Sequence, residues 1–494
     1  MKIRYIIAGL VVLLLTACSD KFLQLDSHES LTTSNYFSTE ADLKAAVNGI
    51  YTNVRQWFGP TSNITTSPAI LIGDMHSDNA RYYFNPNYRA AVPAENIADF
   101  VPDNQRFSSY WTNFYVWISR SNQILGSIDA VNFDQTSKNN LKGQALFFRA
   151  YSYWWIIRLY GKGVLHTDPV NTLDQTSLPL SDEQALKTQV IADAKLAATL
   201  LLDKATQQAG RVTSGSANML LADVYMWYKE WALAEAALKN IKGYSLVPNY
   251  ADIFSTTNKN NSESIFEIQY SSSASTYAST FVYNHFPYPA TASQVAAWTG
   301  VSNPASLSEG EMLTVPNPEL IASFETGDKR LSASITNVQD ANGLKMPMCS
   351  KYLHAHATFK QCDDDLMIYR YAGALLYLAE ALNEQNKTTE AVGYLNQVRI
   401  RAGLTNTSAT SQADVRTAIE KERRVELAFE GSRWWDLVRT NKVQEVISAY
   451  GAKVKAAPLT YYFTSGQAPV PTAFTDFRKV FNLPDDEVLY NPNF

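Results

Sequence analysis

Two stretches of this 494-residue chain hold the side chains best suited to gripping a small polar molecule. From Gly59 to Gln105 come Asp74, Asp78 and Asn79, then Arg81-Tyr82-Tyr83-Phe84, then Tyr88 and Arg89; residues 277–298 add Tyr277, Tyr283, His285, Tyr288 and Trp298. A sugar ring offers an apolar C–H face edged with hydroxyls. Trp and Tyr can stack on the face while Asp, Asn and Arg satisfy the rim. On these types alone the expected ligand platform is Asp74, Asn79, Arg81, Tyr82, Tyr83, Tyr283, Tyr288 and Trp298, with Trp298 and the Tyr82-Tyr83 pair foremost. The competing reading is that loop aromatics simply plug a scaffold.

A third cluster, Glu422 to Arg439, concentrates Glu, Arg, Trp and Asp and could be mistaken for the acid/base pair of a glycosidase. Hydrolysis needs two carboxylates about 5–9 Å apart across a cleft, one with a raised pKa. Glu422 and Glu426 stand four residues apart, and Arg433 can reach Asp436 or Glu430, as helical charge pairs that support packing. The cluster is therefore read as structural. Gly-x-Ser-x-Gly, His-Glu-x-x-His and a phosphate-cradling glycine loop are all absent from the sequence, so nucleophilic, zinc and nucleotide chemistry lack their usual signatures. No catalytic residue and no cofactor is expected.

The N-terminus sets the compartment. Lys2 and Arg4 precede an apolar run, Tyr5 to Leu15, that ends in Leu15-Thr16-Ala17-Cys18. Eleven residues are too few to span a bilayer as a helix, so residues 1–17 read as an export signal, with Cys18 the lipidation site that tethers the mature chain. Cys349 and Cys362 are the remaining thiols, and in an exported protein they most simply form a disulfide closing fourteen residues. His354 and His356 lie between them, but Cys-x4-His-x-His-x5-Cys matches no usual zinc spacing, and no metal is expected. Net charge is −5 with both signs interspersed, which excludes a nucleic-acid footprint. Tyrosine outnumbers phenylalanine, 28 to 22, so many rings are expected at surfaces.

The elements that would position these residues are helices. Leu221-Ala222-x2-Tyr225, Ala234-x3-Leu238 and Ile241 recur 157 residues later as Leu378-Ala379-x2-Leu382, Ala391-x3-Leu395 and Val398. The register is that of a tetratricopeptide repeat, which places small residues where two antiparallel helices cross. Leu141, Ala145, Phe148, Ser152, Trp155 and Leu159 share one helix face, and Phe147, Tyr151, Trp154 and Ile157 make that helix apolar around most of its girth. Residues 41–58, 107–128, 183–203 and 414–440 also read as helices. Residues 245–366 are instead rich in Ser, Thr, Pro, Asn and Gly, with a strand at Ser264–Tyr270 and short elements at Lys351–His354 and Leu366–Tyr369. The fold class is predominantly α: a tetratricopeptide-like hairpin scaffold with long irregular insertions and a few short strands.

Several segments together resemble the SusD/RagB family of outer-membrane nutrient-binding lipoproteins of Bacteroidota. They are Cys18-Ser-Asp-Lys-Phe-Leu, Thr39 to Tyr51, Arg149 to Gly161, Arg211 to Ala222, Tyr369-Arg-Tyr-Ala, Leu378 to Asn383, Asn396 to Gly403 and Glu422 to Arg439. The ending, Pro484-Asp-Asp-Glu487 with Asn491-Pro-Asn493, is similar to the family's terminal signature but lacks the first proline of its usual Pro-x-Pro. The resemblance implies one domain over residues 18–494, with helical repeats at about 41–58, 107–244 and 367–440 and ligand-platform insertions at about 59–105 and 245–366. It implies a lipid-anchored protein on the outer face of the outer membrane that captures oligosaccharides for a SusC-like TonB-dependent transporter and catalyses no reaction. Peptide capture in the same complex, a surface hydrolase and a scaffold that binds only proteins are the alternatives.

Overall fold

The computed structural model describes residues 37–59, 71–81, 104–287, 289–307, 314–462, 480–491 and 493–494. The signal segment, Cys18, Tyr82, Tyr83 and Tyr288 lie outside the described residues. The helices pack in a continuous series, Glu40–Phe58 on Asn104–Ser127, then Gln135–Tyr160, Glu183–Leu200, Ser214–Trp227 and Trp231–Lys239. Trp231–Lys239 next packs against Tyr371–Glu384, which is followed by Thr388–Arg401 and Gln412–Glu426. Both repeat pairs thus exist as helical hairpins, and they are neighbours in space although more than a hundred residues separate them in sequence.

Local chemistry explains the helix ends. Thr39 caps its helix by accepting from the Asp42 N–H at 3.2 Å while Asp42 accepts from the Thr39 N–H at 2.8 Å, so two otherwise orphaned donors are satisfied. Asp134 and Asp182 act likewise, accepting from the Ser137 and Ala185 N–H groups at 2.8 Å. At the far end of Gln135–Tyr160, Gly161 takes φ 70°, the left-handed stop that favours glycine.

Gln135–Tyr160 is buried from Gly143 to Tyr160, as its all-round apolar sequence demands. Its rings join a cluster in which Trp57 meets Phe114 at 5.1 Å and Trp155 at 5.0 Å, edge to face. The tyrosines correct the surface expectation. Tyr151, Tyr153, Tyr250, Tyr283 and Tyr352 are all essentially buried, because their hydroxyls find partners inside: Tyr153 donates to the His166 carbonyl at 2.8 Å and Tyr250 to the Glu426 carbonyl at 2.7 Å.

The long insertion leaves and rejoins the stack through a neck. Ser264–Ile268 pairs antiparallel with Leu366–Arg370, Ser264 opposite Arg370 and Ile268 opposite Leu366, with an irregularity between. Beside it Asp365 accepts from the Tyr270 N–H at 2.7 Å and from Lys259 at 3.0 Å. The strand readings at 264–270 and 366–369 thus locate the neck, whereas 351–354 forms a turn. A hairpin of Ile335–Gln339 with Lys345–Cys349 was not foreseen.

The expected helix over 414–440 is broken. It runs as Gln412–Glu426 and Arg433–Arg439 with a turn between, in which Phe429 has φ 62° and Gly431 φ 77°. A left-handed Phe is unfavourable by itself, so tertiary contacts must hold it there. They do: the Phe429 and Gly431 N–H groups both donate to Asp74, at 3.3 and 2.7 Å.

Candidate functional site

The insertion carries an aromatic patch built on three local elements: a 3-10 turn at Phe281–Asn284, a helix at Ala292–Thr299 and the loop 352–362. The Thr291 hydroxyl and Gln294 side chain cap the helix reciprocally, and Gly300 ends it at φ 75°. Trp298 stands in the last turn, half-buried, with its ring 4.9 Å from that of Phe286. The His356 N–H donates to the Thr299 carbonyl at 3.0 Å, so the 352–362 loop lies directly against Trp298's helix.

Hydrogen bonding fixes the imidazole. His356 Nδ1 lies 2.9 Å from the His354 carbonyl and must donate there, which leaves Nε2 to accept from the Tyr283 hydroxyl at 2.8 Å. Tyr283 in turn stacks edge-on against Phe286 at 5.4 Å and Phe359 at 5.0 Å. His354 Nδ1 meets the Asp364 carboxyl at 2.5 Å, and burial raises the pKa of that carboxyl. Half-buried Trp298, His356 and Phe359 and exposed Asn303 therefore face outward over a base of buried Tyr283 and Phe286. Both imidazole nitrogens are held within the protein, so what the patch offers a sugar is the Trp298 ring for its face and the exposed Asn303 amide, anchored on the Phe359 N–H at 2.8 Å, for its rim.

The other expected platform residues are corrected. Asp74, Asn79 and Arg81 are each at most 3% exposed. Asp74 accepts from Asn79 Nδ2 at 3.1 Å as well as from the two turn amides, and burial pushes its carboxyl up to about 6. Asn79 accepts from Arg424 Nε at 2.9 Å, and Arg81 donates to the Tyr461 carbonyl at 2.7 Å. Asp78 pairs with Arg433 at 2.8 Å and with Arg424 at 2.9 Å; burial works to raise its pKa, and the two guanidiniums overcome that and lower it. These groups fasten residues 71–81 to the 427–433 turn. Gly73 sits so close to Gly431 that a Cβ there would fall 2.0 Å from the Gly431 carbonyl oxygen. Tyr283, 1% exposed, supports the patch from beneath. Only Trp298 of the described candidates reaches its surface.

The 422–439 carboxylates take the structural role expected of them, with different partners. Arg433 pairs with Asp78, while Asp436 takes Arg423 at 3.1 Å and Arg439 at 2.7 Å. Glu426 is fully buried among Arg330, Arg370 and Arg401.

The expected disulfide is also corrected: Cys349 and Cys362 are free and buried. Cys349 ends the hairpin strand opposite Ile335, whereas Cys362 pairs its backbone with Ser279 and sets its thiol 3.5 Å from His356 Nε2. Burial pushes the Cys349 thiol up to about 12 and raises that of Cys362 as well. Iodoacetamide at pH 8 should label neither thiol in native protein and both after denaturation without reductant. Denatured, unreduced protein that takes no label would restore the disulfide. The patch also includes His356, Phe359 and Asn303, for which the available local signal is His354-x-His356, a spacing that reads as a metal motif.

The comparisons with known proteins agree over nearly the whole chain. The family model described as "SusD family" matches residues 332–494, and one described as "Starch-binding associating with outer membrane" matches residues 21–226. SusD-like protein P2 of Formosa agariphila is 27% identical, covering 99% of this chain and 98% of its own, and a SusD-like protein of Bacteroides ovatus is 25% identical over 89% and 82%. Among solved structures, a SusD homolog from Bacteroides thetaiotaomicron superposes with a TM-score of 0.77 at 18% identity, covering 94% of this chain and 97% of its own. Surface glycan-binding protein A of the same organism, in complex with laminarihexaose, gives 0.72 at 20% identity over 92% and 98%. A laminarin-binding SusD-like protein gives 0.70 at 24% identity over 91% and 100%.

Proposed function

The chain belongs to the SusD family, and from that membership we propose that it is a non-enzymatic, cell-surface glycan-binding lipoprotein whose ligand stacks on Trp298. The observation that carries this reading is a half-buried indole, backed by Phe286, in a helix whose last residue, Thr299, accepts from the His356 N–H of the neighbouring loop. Loops held by a rigid scaffold are where binding groups concentrate. One similar structure is a laminarin-binding protein and another is a complex with laminarihexaose, which makes a laminarin-type oligosaccharide the first ligand to try.

In this reading residues 18–494 act as one unit, Cys18 carries the lipid, and the captured oligosaccharide passes to a SusC-like TonB-dependent transporter in the outer membrane. No helix among the described residues is long and apolar enough to cross a membrane, so the lipid is the tether proposed. Calorimetry with laminarihexaose and a panel of other oligosaccharides, followed by chromatography of the recovered sugar, tests the function. Saturable binding with the sugar returned intact is the expected result. Cleaved sugar would replace this reading with a hydrolase, and binding only to peptides would replace the ligand.

A further inference from the structure

Away from the Trp298 patch, a cavity opens inside the helical stack, with about 90 Å³ of room for the centres of water-sized atoms. Its wall includes Tyr151, Trp155, Arg158, Asp223, Tyr369 and Trp435, drawn from two helices, the neck strand and the short helix after the 427–432 turn. Ile368, Tyr369 and Ser432 at its edge are half-buried, so the cavity communicates with solvent.

Arg158 is the unusual group. It is 8% exposed, and its guanidinium carbon lies 4.1 Å from the ring centre of Trp155, 4.9 Å from Trp435 and 5.1 Å from Trp154. Its one carboxylate, Asp223, stands 3.8 Å from Nη1, beyond hydrogen-bond reach. Asp223 is already engaged, accepting from Trp154 Nε1 at 2.8 Å and from the hydroxyls of Tyr369 at 2.9 Å and Tyr377 at 3.0 Å. Arg158 Nε and Trp435 Nε1 are both buried without an acceptor, as are Trp57 Nε1, Trp117 Nε1 and Arg401 Nε elsewhere, and what distinguishes Arg158 and Trp435 is that both line this cavity.

Buried donors without acceptors are rare, and a guanidinium has five N–H groups to satisfy. Here the unmet demand is for acceptors only, beside a positive charge and between flat aromatic walls. We propose that this cavity binds a small carboxylate, whose oxygens accept from the Arg158 guanidinium and the Trp435 indole N–H. A carboxylate matches the planar fork of arginine, and charge-assisted bonds of this kind are the strong ones.

Ligand-observed NMR with carbon-13 acetate and with galacturonate, on the full mature protein at fixed ionic strength in chloride, tests the site. Saturable line broadening is expected for both in the wild type. Arg158→Met should abolish it, and Trp435→Phe, which removes one N–H and keeps a ring, should weaken it by about tenfold. If Arg158→Met fails to fold by circular dichroism, Trp435→Phe decides alone. No broadening in the wild type, equal broadening in the variants, or equal displacement of acetate by neutral galactose would each overturn the proposal. Trp298→Ala should leave acetate binding unchanged, so this site and the glycan patch stand or fall separately.

Discussion

Glu426→Gln is expected to destabilise the protein by about 3–5 kcal/mol, because it removes the one anion that three buried arginines share. Glu426 is fully buried and receives Arg330 at 2.8 Å, with Arg370 and Arg401 closer still. Each arginine arrives from a different element. Arg330 belongs to the insertion, where it also holds Asp328 at 2.8 Å, and it reaches Glu422 of the Gln412–Glu426 helix at 2.6 Å. Arg370 ends the neck strand and also pairs with Glu263 and Glu430 at 2.7 Å, and Arg401 ends a scaffold helix and pairs with Glu263 at 2.9 Å. Glutamine keeps the shape and loses the charge, so the three guanidiniums lose the anion they share and keep only Asp328, Glu422, Glu263 and Glu430.

The pH dependence should change with it. Burial alone would raise the Glu426 pKa, but Arg401, Arg370 and Arg330 bring it well below its ordinary 4.5; Glu430 is lowered the same way by Arg370 and Lys351. A carboxylate depressed in the fold contributes stability that is present above pH 4.5 and lost as pH falls through the folded value. Asp74 and Glu422 act oppositely. Burial raises both, so their contribution is present at low pH and fades as pH rises, for Asp74 through about 6. Wild-type stability should therefore fall steeply below about pH 4, and the Glu426→Gln variant should fall less steeply from a lower start. Urea titrations from pH 3 to 8 measure both effects, and a variant with the wild-type midpoint throughout would show that the cluster does not join the insertion to the scaffold.

Trp298→Ala should weaken oligosaccharide binding by about thirtyfold, the loss of about 2 kcal/mol typical of a central aromatic anchor. The ring is half-buried against Phe286, so the folding cost should be smaller, about 1 kcal/mol, and the melting transition should remain cooperative. Trp298→Phe should recover part of the affinity by restoring a stacking face. Calorimetry with the best binder from the panel measures this. Wild-type affinity in Trp298→Ala and in the Tyr82/Tyr83 double alanine variant would move the site elsewhere.

The sequence by itself determined the scaffold. Helical faces repeat every three or four residues, so Leu221-Ala222-x2-Tyr225 and its later copy report their own hairpins, and the apolar girth of Gln135–Tyr160 reports its burial. The strands at the neck were legible from their own local pattern, short runs of β-branched and aromatic residues bounded by polar ones. Tertiary structure alone decided which polar loop residues turn inward and which stay at the surface. Asp78 and Arg433 are 355 positions apart, as far as Asp74 is from Phe429, and no local pattern announces that such pairs meet. Those long-range contacts turn Asp74, Asn79 and Arg81 inward, hold Phe429 left-handed and so break the helix expected over 414–440. They also set Cys349 and Cys362 against different partners and bring His356 and Phe359 beside Trp298, because a buried polar group goes wherever its hydrogen bonds can be completed, whatever its distance in sequence.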